Sequence, residues 1–503
     1  MVSYPNYAAH GGRYEKAFVS SIEDQVVRTP ESVAQKAFRG AVALGVRQVL
    51  VQGANVLGSA LLARLLTPAE FGLYTIVIFL LSFLIVFGST GLAANLIRQP
   101  EEPTREDYQA VFTLQLVVVV VIVLLLWTTA PWIAQVYGLP SQDAWLFRLV
   151  ALSLFISSFM VIPQVRLERR LVFDRLALVE VVQAVVFNAS TVLLAWRGVG
   201  ALSFALALLL RAMTGAVLAN LLEPWRLGWR WEWSRTRDHL RFGTYFQGGQ
   251  FISVVKDSIT PVFVGLLLGA AQVGYISWAG MVATYPVFAL MLLTRIYMPA
   301  FSRMQHHREQ LARFVERVVW ATNALTAPLS VLTLILVEPL TRLVFGEEWL
   351  VALPMFYLLW AANLFVPTAT PLMGLLNALG NSRAGFWFAV LWIVGIWVLG
   401  VPLTVGCGAV GLAVANLAVN FTNFWLYRVA QRERAFRIFP LVLRPWALAF
   451  GVGGVLYLVQ GAWPVESLPV LLAFGVLGCI FYVAGLSLGY PREARKFAVM
   501  LRG

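Results

Sequence analysis

A chain of 503 residues in which 59% are hydrophobic and only 13% charged, with a mean hydropathy of +0.76, lacks the polar residues that a water-facing surface of this size requires, so a soluble enzyme is excluded. Its 38 lysines and arginines against 25 acidic residues give a net charge of +13. In a soluble protein that excess points to nucleic acid, whereas in a membrane protein it marks cytoplasmic loops, so its meaning depends on where the charges fall. Cys407 and Cys479 are isolated, and the four histidines lie in polar stretches, so no disulfide, metal site, cofactor or catalytic residue is expected.

Residues 1–38 are polar and of mixed charge, with no signal-peptide core, and are expected to form a cytoplasmic tail. With about 20 mostly apolar residues needed per crossing, fourteen transmembrane helices are expected, making this an all-α polytopic membrane protein. They cover 42–63, 72–97, 109–130, 145–165, 175–196, 199–221, 244–268, 273–298, 318–344, 351–374, 384–405, 408–428, 442–460 and 467–488. A first lobe of six helices occupies 39–222, a cytoplasmic linker 223–243 and a second six-helix lobe 244–428. Two C-terminal helices lie within 429–490, and a second cytoplasmic tail covers 491–503.

Alternation from a cytoplasmic N-terminus places thirty of the 38 basic residues on cytoplasmic segments and only Arg64, Arg197 and Arg342 outside. Such an asymmetry with an even span count puts both termini in the cytoplasm and removes nucleic acid as a partner. The five basic residues left within spans are Arg47, Arg148, Arg211, Lys256 and Arg295.

The two halves resemble each other. Leu65-Leu66-Thr67-Pro68-Ala69-Glu70-Phe71-Gly72 after the first helix parallels Leu267-Leu268-Gly269-Ala270-Ala271-Gln272-Val273-Gly274 after the seventh, at an offset of 202. Further on, Pro131 and Gly138 match Pro339 and Gly346, Pro163 matches Pro371 and Arg175 matches Arg383, all at an offset of 208. Two pseudo-symmetric six-helix lobes in one orientation are therefore expected.

Ionisable groups inside a bilayer are costly and mark function by default. In the seventh helix Gln247, Gln250, Ser253, Asp257 and Thr260 share one face, with Lys256 beside it, about 18 Å into the span and so near mid-membrane. The first helix carries a matching stripe of Gln48, Gln52, Asn55 and Ser59 beside Arg47; the 202 offset sets Asn55 on Asp257 and Gln48 on Gln250. Two such faces related by a pseudo-two-fold axis are expected to meet across a central cavity, to which Arg295 adds a third cation. Arg47, Lys256 and Arg295 outnumber Asp257, which favours an anion, phosphate above all, while the amide side chains suit sugar hydroxyls. Glu180 and Arg211 are expected to form either a coupling pair, a role also open to Asp257, or a structural ion pair within the first lobe.

At this point the sequence resembles a known family. Residues 60–74, Ala-Leu-Leu-Ala-Arg-Leu-Leu-Thr-Pro-Ala-Glu-Phe-Gly-Leu-Tyr, are similar to the signature at the end of the first helix in bacterial polysaccharide exporters. These are the lipid-linked oligosaccharide flippases of the multidrug/oligosaccharidyl-lipid/polysaccharide (MOP) exporter superfamily. Gly91–Gln99, Val264–Tyr275, Pro299–Gln305 and Phe345-Gly346-Glu347-Glu348-Trp349 resemble its later motifs, and the likeness covers roughly residues 36–430.

The resemblance implies an alternating-access flippase, not an enzyme, in the bacterial cytoplasmic (inner) membrane. It would move an undecaprenyl-diphosphate-linked oligosaccharide to the outer leaflet for cell-surface polysaccharide biosynthesis. Lys256, Arg47 and Arg295 would hold the diphosphate, Asp257 would balance Lys256 or couple transport to a proton or sodium ion, and the last two helices would border a groove for the polyprenyl tail. The alternatives are a peptidoglycan-precursor (lipid II) flippase or a cation-coupled multidrug antiporter of the same superfamily. A polytopic glycan polymerase would need a sizeable outer loop, and every outer loop here is short.

Overall fold

The computed structural model describes residues 30–89, 96–97, 101–230, 254–433 and 438–489, with side chains at all of these except 30–46, 49, 87–89, 292, 295, 296, 382 and 433. Every regular element among them is helical.

In the N-terminal half these are α1 (Pro30–Leu65), α2 (Pro68–Ser89), α3 (Arg105–Val136), α4 (Ala144–Ser157, continuing through a 3-10 turn into Val161–Arg169), α5 (Phe173–Trp196) and α6 (Leu202–Leu222). The C-terminal half opens with α7 (254–268, with a π-helical turn at Ile259–Val264) and α8 (Ala270–Thr284, continuing through a 3-10 turn into Leu290–Met304). It goes on with α9 (Arg308–Leu340) and α10 (Leu353–Asn363, continuing as Val366–Ala378). Helical residues Ser382–Asn420 follow, then Asn423–Glu433, α13 (Phe439–Ala462) and α14 (Leu468–Gly489).

The stretch Ser382–Asn420 is two helices. Gly408 has φ +65°, a left-handed conformation that a side chain would strain, and there the chain turns back. Its legs, α11 (382–407) and α12 (409–420, running on into Asn423–Glu433), then pack side by side: Gly395 lies against Val419, and Gly400 against Leu412 and Ala415. Ten helical stretches among the described residues are long and apolar enough to cross a membrane, against the fourteen expected. One of the ten is the 50-residue Arg383–Arg432 stretch that Gly408 folds in half; α1 contributes only the shorter apolar stretch Leu50–Leu65, and α7 is described only from residue 254.

These helices are apolar on their outer surfaces too. Leu124 is 60% exposed, Val398 63% and Leu458 75%. A water-soluble bundle would bury such side chains; a bilayer accepts them, and the helix satisfies its own backbone hydrogen bonds there.

At one end of the bundle, the end of the α1–α2 turn, a single large core draws on both halves. Phe71, Ile76 and Leu146 belong to it together with Trp278, Phe345 and Trp349. At the opposite end the cores separate. Val111, Phe112, Ile162 and Val165 pack with one another in the N-terminal half, and Tyr297, Phe301, Leu311 and Leu375 form their own cluster in the C-terminal half.

The last two helices pack on α9. Gly453 and Gly478 admit Val331 and Leu332 so closely that a Cβ at either glycine would stand 2.3–2.4 Å from them. The Trp446 indole donates to Asn323 Oδ1 at 2.9 Å in a buried network that also holds Thr368, whose hydroxyl accepts from Asn323 Nδ2 at 3.1 Å.

Candidate functional site

The α1–α2 turn shows why its residues are needed. Thr67 caps α2: the Thr67 backbone N–H donates to Glu70 Oε2 at 2.9 Å, and the Glu70 N–H returns a bond to the Thr67 hydroxyl at 3.4 Å. Pro68 takes the first helical position, where no N–H is required. Phe71 is buried edge-on against Trp349, with ring centroids 5.4 Å apart. Gly72 then lets α2 touch α8 backbone to backbone, since a Cβ there would stand 1.8 Å from the Ala270 carbonyl oxygen. The equivalent Gly274 meets α2 in the same way: a Cβ there would stand 1.9 Å from the Pro68 oxygen and 3.2 Å from the Gly72 nitrogen. The two glycines that align at an offset of 202 are thus partners across the join between the halves.

The same end is closed by further cross-half bonds. Gly346, with φ +119°, ends the helical run of α9 and swings Trp349 into the core, where it is fully buried and its indole donates to the Ala63 carbonyl at 2.8 Å. Arg64 donates to the Leu343 carbonyl at 2.8 Å, and the Tyr137 hydroxyl to the Pro261 carbonyl at 3.1 Å. Trp349 also stacks on Trp278, with centroids 5.5 Å apart.

Behind this closure lie two adjoining cavities of about 420 Å³ each, which share Ile78 and Ser82 of α2. The first sits between α2 and the C-terminal half, and its polar lining is Thr75, Asp257, Thr260, Ser277 and Asn416. The second lies inside the N-terminal half, lined by Gln115, Ser153, Gln164, Gln183 and Arg211 among others.

The expected site residues distribute as follows. Asp257 lines the first cavity, its carboxylate 64% exposed and 3.0 Å from Lys256 Nζ. Lys256 also lies 5.8 Å from the centre of the Trp392 ring on α11, so its charge is shared between a carboxylate and an aromatic face.

The stripe on α1 divides between two neighbours. Arg47 pairs with Glu180 of α5 at 2.5 Å and donates to Gln48 Oε1 at 3.3 Å, while Asn55 Oδ1 accepts from Asn188 of α5 at 3.1 Å. Gln48 and Ser59 reach the other way, to Met291 Sδ at 3.8 Å and the Tyr285 hydroxyl at 3.4 Å on α8. Gln52 is half-buried on the same helix. Gln250 lies outside the described residues. For Arg295 the backbone is helical, in the second part of α8, and the side chain lies outside the described set.

The expected Glu180–Arg211 pair is not among the ion pairs of the described residues. α1 and α5 run parallel, with Arg47 beside Glu180 and Asn55 beside Asn188, so the α5 carboxylate meets the α1 guanidinium first. Arg211 instead meets the aromatic face of Phe187, 5.9 Å from ring centre to guanidinium, and lines the cavity. Sequence reasoning thus missed Arg211 as a cavity residue, along with Gln115, Gln164 and Gln183. Their only signal was polarity within otherwise apolar helices.

The comparisons with known proteins agree with this architecture. A family model described as "Polysaccharide biosynthesis protein" matches residues 61–354, more than half of the chain. The succinoglycan biosynthesis transport protein ExoT of Rhizobium meliloti (strain 1021) is 26% identical over 334 residues, 66% of this chain and 67% of that protein. The lipopolysaccharide biosynthesis protein WzxC of Escherichia coli (strain K12) is 23% identical over 400 residues, 78% of this chain and 80% of that protein. In fold, the chain resembles the lipid II flippase MurJ in an inward closed conformation, with a TM-score of 0.73 at 13% identity, over 90% of this chain and 99% of that one. An inward-facing multidrug resistance MATE transporter of the MOP superfamily gives a TM-score of 0.57 at 16% identity, over 78% and 98% of the two chains. By its sequence over residues 61–354 the chain, a multi-pass membrane protein by its ten long apolar helical stretches, belongs to the polysaccharide biosynthesis protein family.

Proposed function

We propose that the chain is an alternating-access flippase that carries an undecaprenyl-diphosphate-linked oligosaccharide from the cytoplasmic to the outer leaflet of a bacterial inner membrane. It crosses the bilayer fourteen times, as two six-helix lobes with two helices docked on the second, and keeps both termini in the cytoplasm. The observation that carries this reading is the unequal closure of the two ends: one core and four cross-half contacts at the α1–α2 end, separate cores at the other, and polar cavities between. Arg64 lies at the closed end, in contact with the segment that follows Arg342; Arg166, Arg303, Arg308 and Arg383 lie at the divided end. The rule that cytoplasmic loops carry the basic residues therefore makes the closed end the outer one.

The oligosaccharide headgroup enters between the lobes from the cytoplasm. Lys256, held beside the first cavity by its pairing with Asp257, and Arg211 in the second attract its diphosphate from opposite lobes, and Gln115, Gln164, Gln183 and Asn416 exchange hydrogen bonds with sugar hydroxyls. Arg47 serves chiefly to fix α1 on α5 through Glu180. Asp257 holds Lys256 in place and is the group that would bind a coupling proton or sodium ion. Relatives named for succinoglycan transport and lipopolysaccharide biosynthesis support a glycan cargo over a drug.

The test is export in a flippase-null strain. Lys256→Ala and Arg211→Gln are each expected to abolish surface polysaccharide while the protein inserts and accumulates normally. Full complementation by both would overturn the cavity assignment. Rescue of a lipid II flippase deletion by the unaltered chain would redirect the cargo to peptidoglycan precursor.

A further inference from the structure

At the end opposite the closure, the start of α3, the end of α4 and the segment following α6 line a cavity of about 540 Å³, apart from the two behind the closure. Five arginines line it: Arg105, Arg166, Arg169, Arg170 and Arg226. Three are anchored. Arg166 and Arg170 both reach Glu223 Oε1 at 2.9 Å, and Glu223 is itself buried. Arg166 also donates to the Pro224 carbonyl at 3.1 Å, and Arg169 to the carbonyls of Leu96, Ile97 and Glu101. Backbone carbonyls thus hold Arg166 and Arg169, and the Glu223 carboxylate holds Arg166 and Arg170.

Arg105 and Arg226 are exposed and have no ionic partner among the described residues. The lining sets five arginines against Glu102, and the buried Glu223 bridges two of them, so the wall is strongly basic. Trp225, whose buried indole N–H has no acceptor among the described residues, and Tyr108 complete the wall. Tryptophan and tyrosine beside basic residues at helix ends are the side chains that sit at the headgroup level of a bilayer.

We propose that this pocket binds a lipid-borne phosphate group at the membrane surface. A guanidinium fork matches two phosphate oxygens, and basic pockets between transmembrane helices on the cytoplasmic side favour anionic headgroups. Two lipids bring that chemistry: an anionic phospholipid of the surrounding leaflet, which would brace the α3–α4 end, and a polyprenyl diphosphate waiting outside the lobes. The site is separate from the two cavities behind the closure, and a binding readout is independent of transport.

The experiment is native mass spectrometry of the full chain in neutral detergent. The added lipids are phosphatidylglycerol, undecaprenyl diphosphate and, as the phosphate-free control, dioleoylglycerol. The unaltered protein is expected to retain one or both phosphate lipids and to release dioleoylglycerol. Arg105→Gln combined with Arg226→Gln is expected to weaken retention by about tenfold to thirtyfold, the loss of two basic groups near a membrane surface. Arg105→Lys with Arg226→Lys is expected to restore most of it. Both positions are exposed, so the thermal unfolding midpoint of the double Gln variant should match the parent and exclude misfolding. Retention of phosphatidylglycerol assigns the site to bulk lipid, and retention of undecaprenyl diphosphate alone assigns it to the carrier. Equal retention by parent and double Gln variant, or retention of dioleoylglycerol as strong as that of the phosphate lipids, would overturn the proposal.

Discussion

Replacing Gly72 with alanine adds one methyl group at the tightest point of the join between α2 and α8. That methyl would stand 1.8 Å from the Ala270 oxygen and 2.9 Å from the Gly274 nitrogen, whereas ordinary contact begins at 3.4 Å. Both obstructing atoms are backbone, so no rotamer relieves them; the helices must part by about 1.6 Å, the difference between 1.8 and 3.4 Å. Overpacking of this kind costs roughly 1–3 kcal/mol. On the proposed topology the contact belongs to the state closed on the outside, so the cost would fall on that state alone and shift the conformational equilibrium by about 5- to 150-fold. The assay is cysteine labelling from outside with a membrane-impermeant maleimide, in a background where Cys407 and Cys479 are serine and the cavity residue Thr260 is cysteine. Gly72→Ala is expected to raise outside labelling severalfold or more without loss of protein, and Gly274→Ala, which meets Pro68 from the other side, to do the same. Unchanged labelling in both, with normal expression, would refute the outward closure drawn from these contacts.

Three further outcomes follow from single contacts. Trp349→Phe keeps the ring stack on Trp278 but leaves the Ala63 carbonyl without its buried partner, a loss of about 1–3 kcal/mol that should also raise outside labelling. Glu180→Gln should lower the thermal unfolding midpoint by leaving Arg47 short of its counter-charge, and Arg47→Met added to it should recover part of that loss; two additive losses would mean the pair does not join α1 to α5. Trp446→Phe should lower the midpoint as well by unpairing Asn323 in the network between α9 and α13, and an unchanged midpoint would contradict the docking of the last helices described above.

Much of this architecture is written in local chemistry. The apolar runs mark the helices, and the parallel between Gly72 and Gly274 is legible as a repeat before any contact is known. What a one-dimensional pattern lacks is the neighbour. Helical spacing puts Arg47, Gln48, Asn55 and Ser59 near one face of α1, yet two neighbouring helices meet that face, so Arg47 and Asn55 turn to α5 while Gln48 and Ser59 turn to α8. For the same reason the sequence points Glu180 to Arg211, whereas the parallel run of α1 and α5 brings it to Arg47. Inside a bilayer the usual guide also fails: Leu124, facing outward, is as apolar as Phe147 in the core, so hydrophobicity does not tell which face is inside. Gln115, Gln164 and Gln183 would have passed for isolated packing residues until α2 to α6 closed around them and Arg211.

The central claim is that the two cavities behind the closure carry a lipid-linked glycan across the membrane, and reconstituted vesicles test it most directly. Purified protein would be placed in liposomes with a defined undecaprenyl-diphosphate-linked oligosaccharide on one leaflet, with and without an imposed ion gradient. Appearance of the glycan on the opposite leaflet would be read by a membrane-impermeant lectin. The account predicts movement with the unaltered chain and none with Lys256→Ala or Arg211→Gln. Movement that is equally fast with both variants, or absent with the unaltered chain under every gradient, would contradict it.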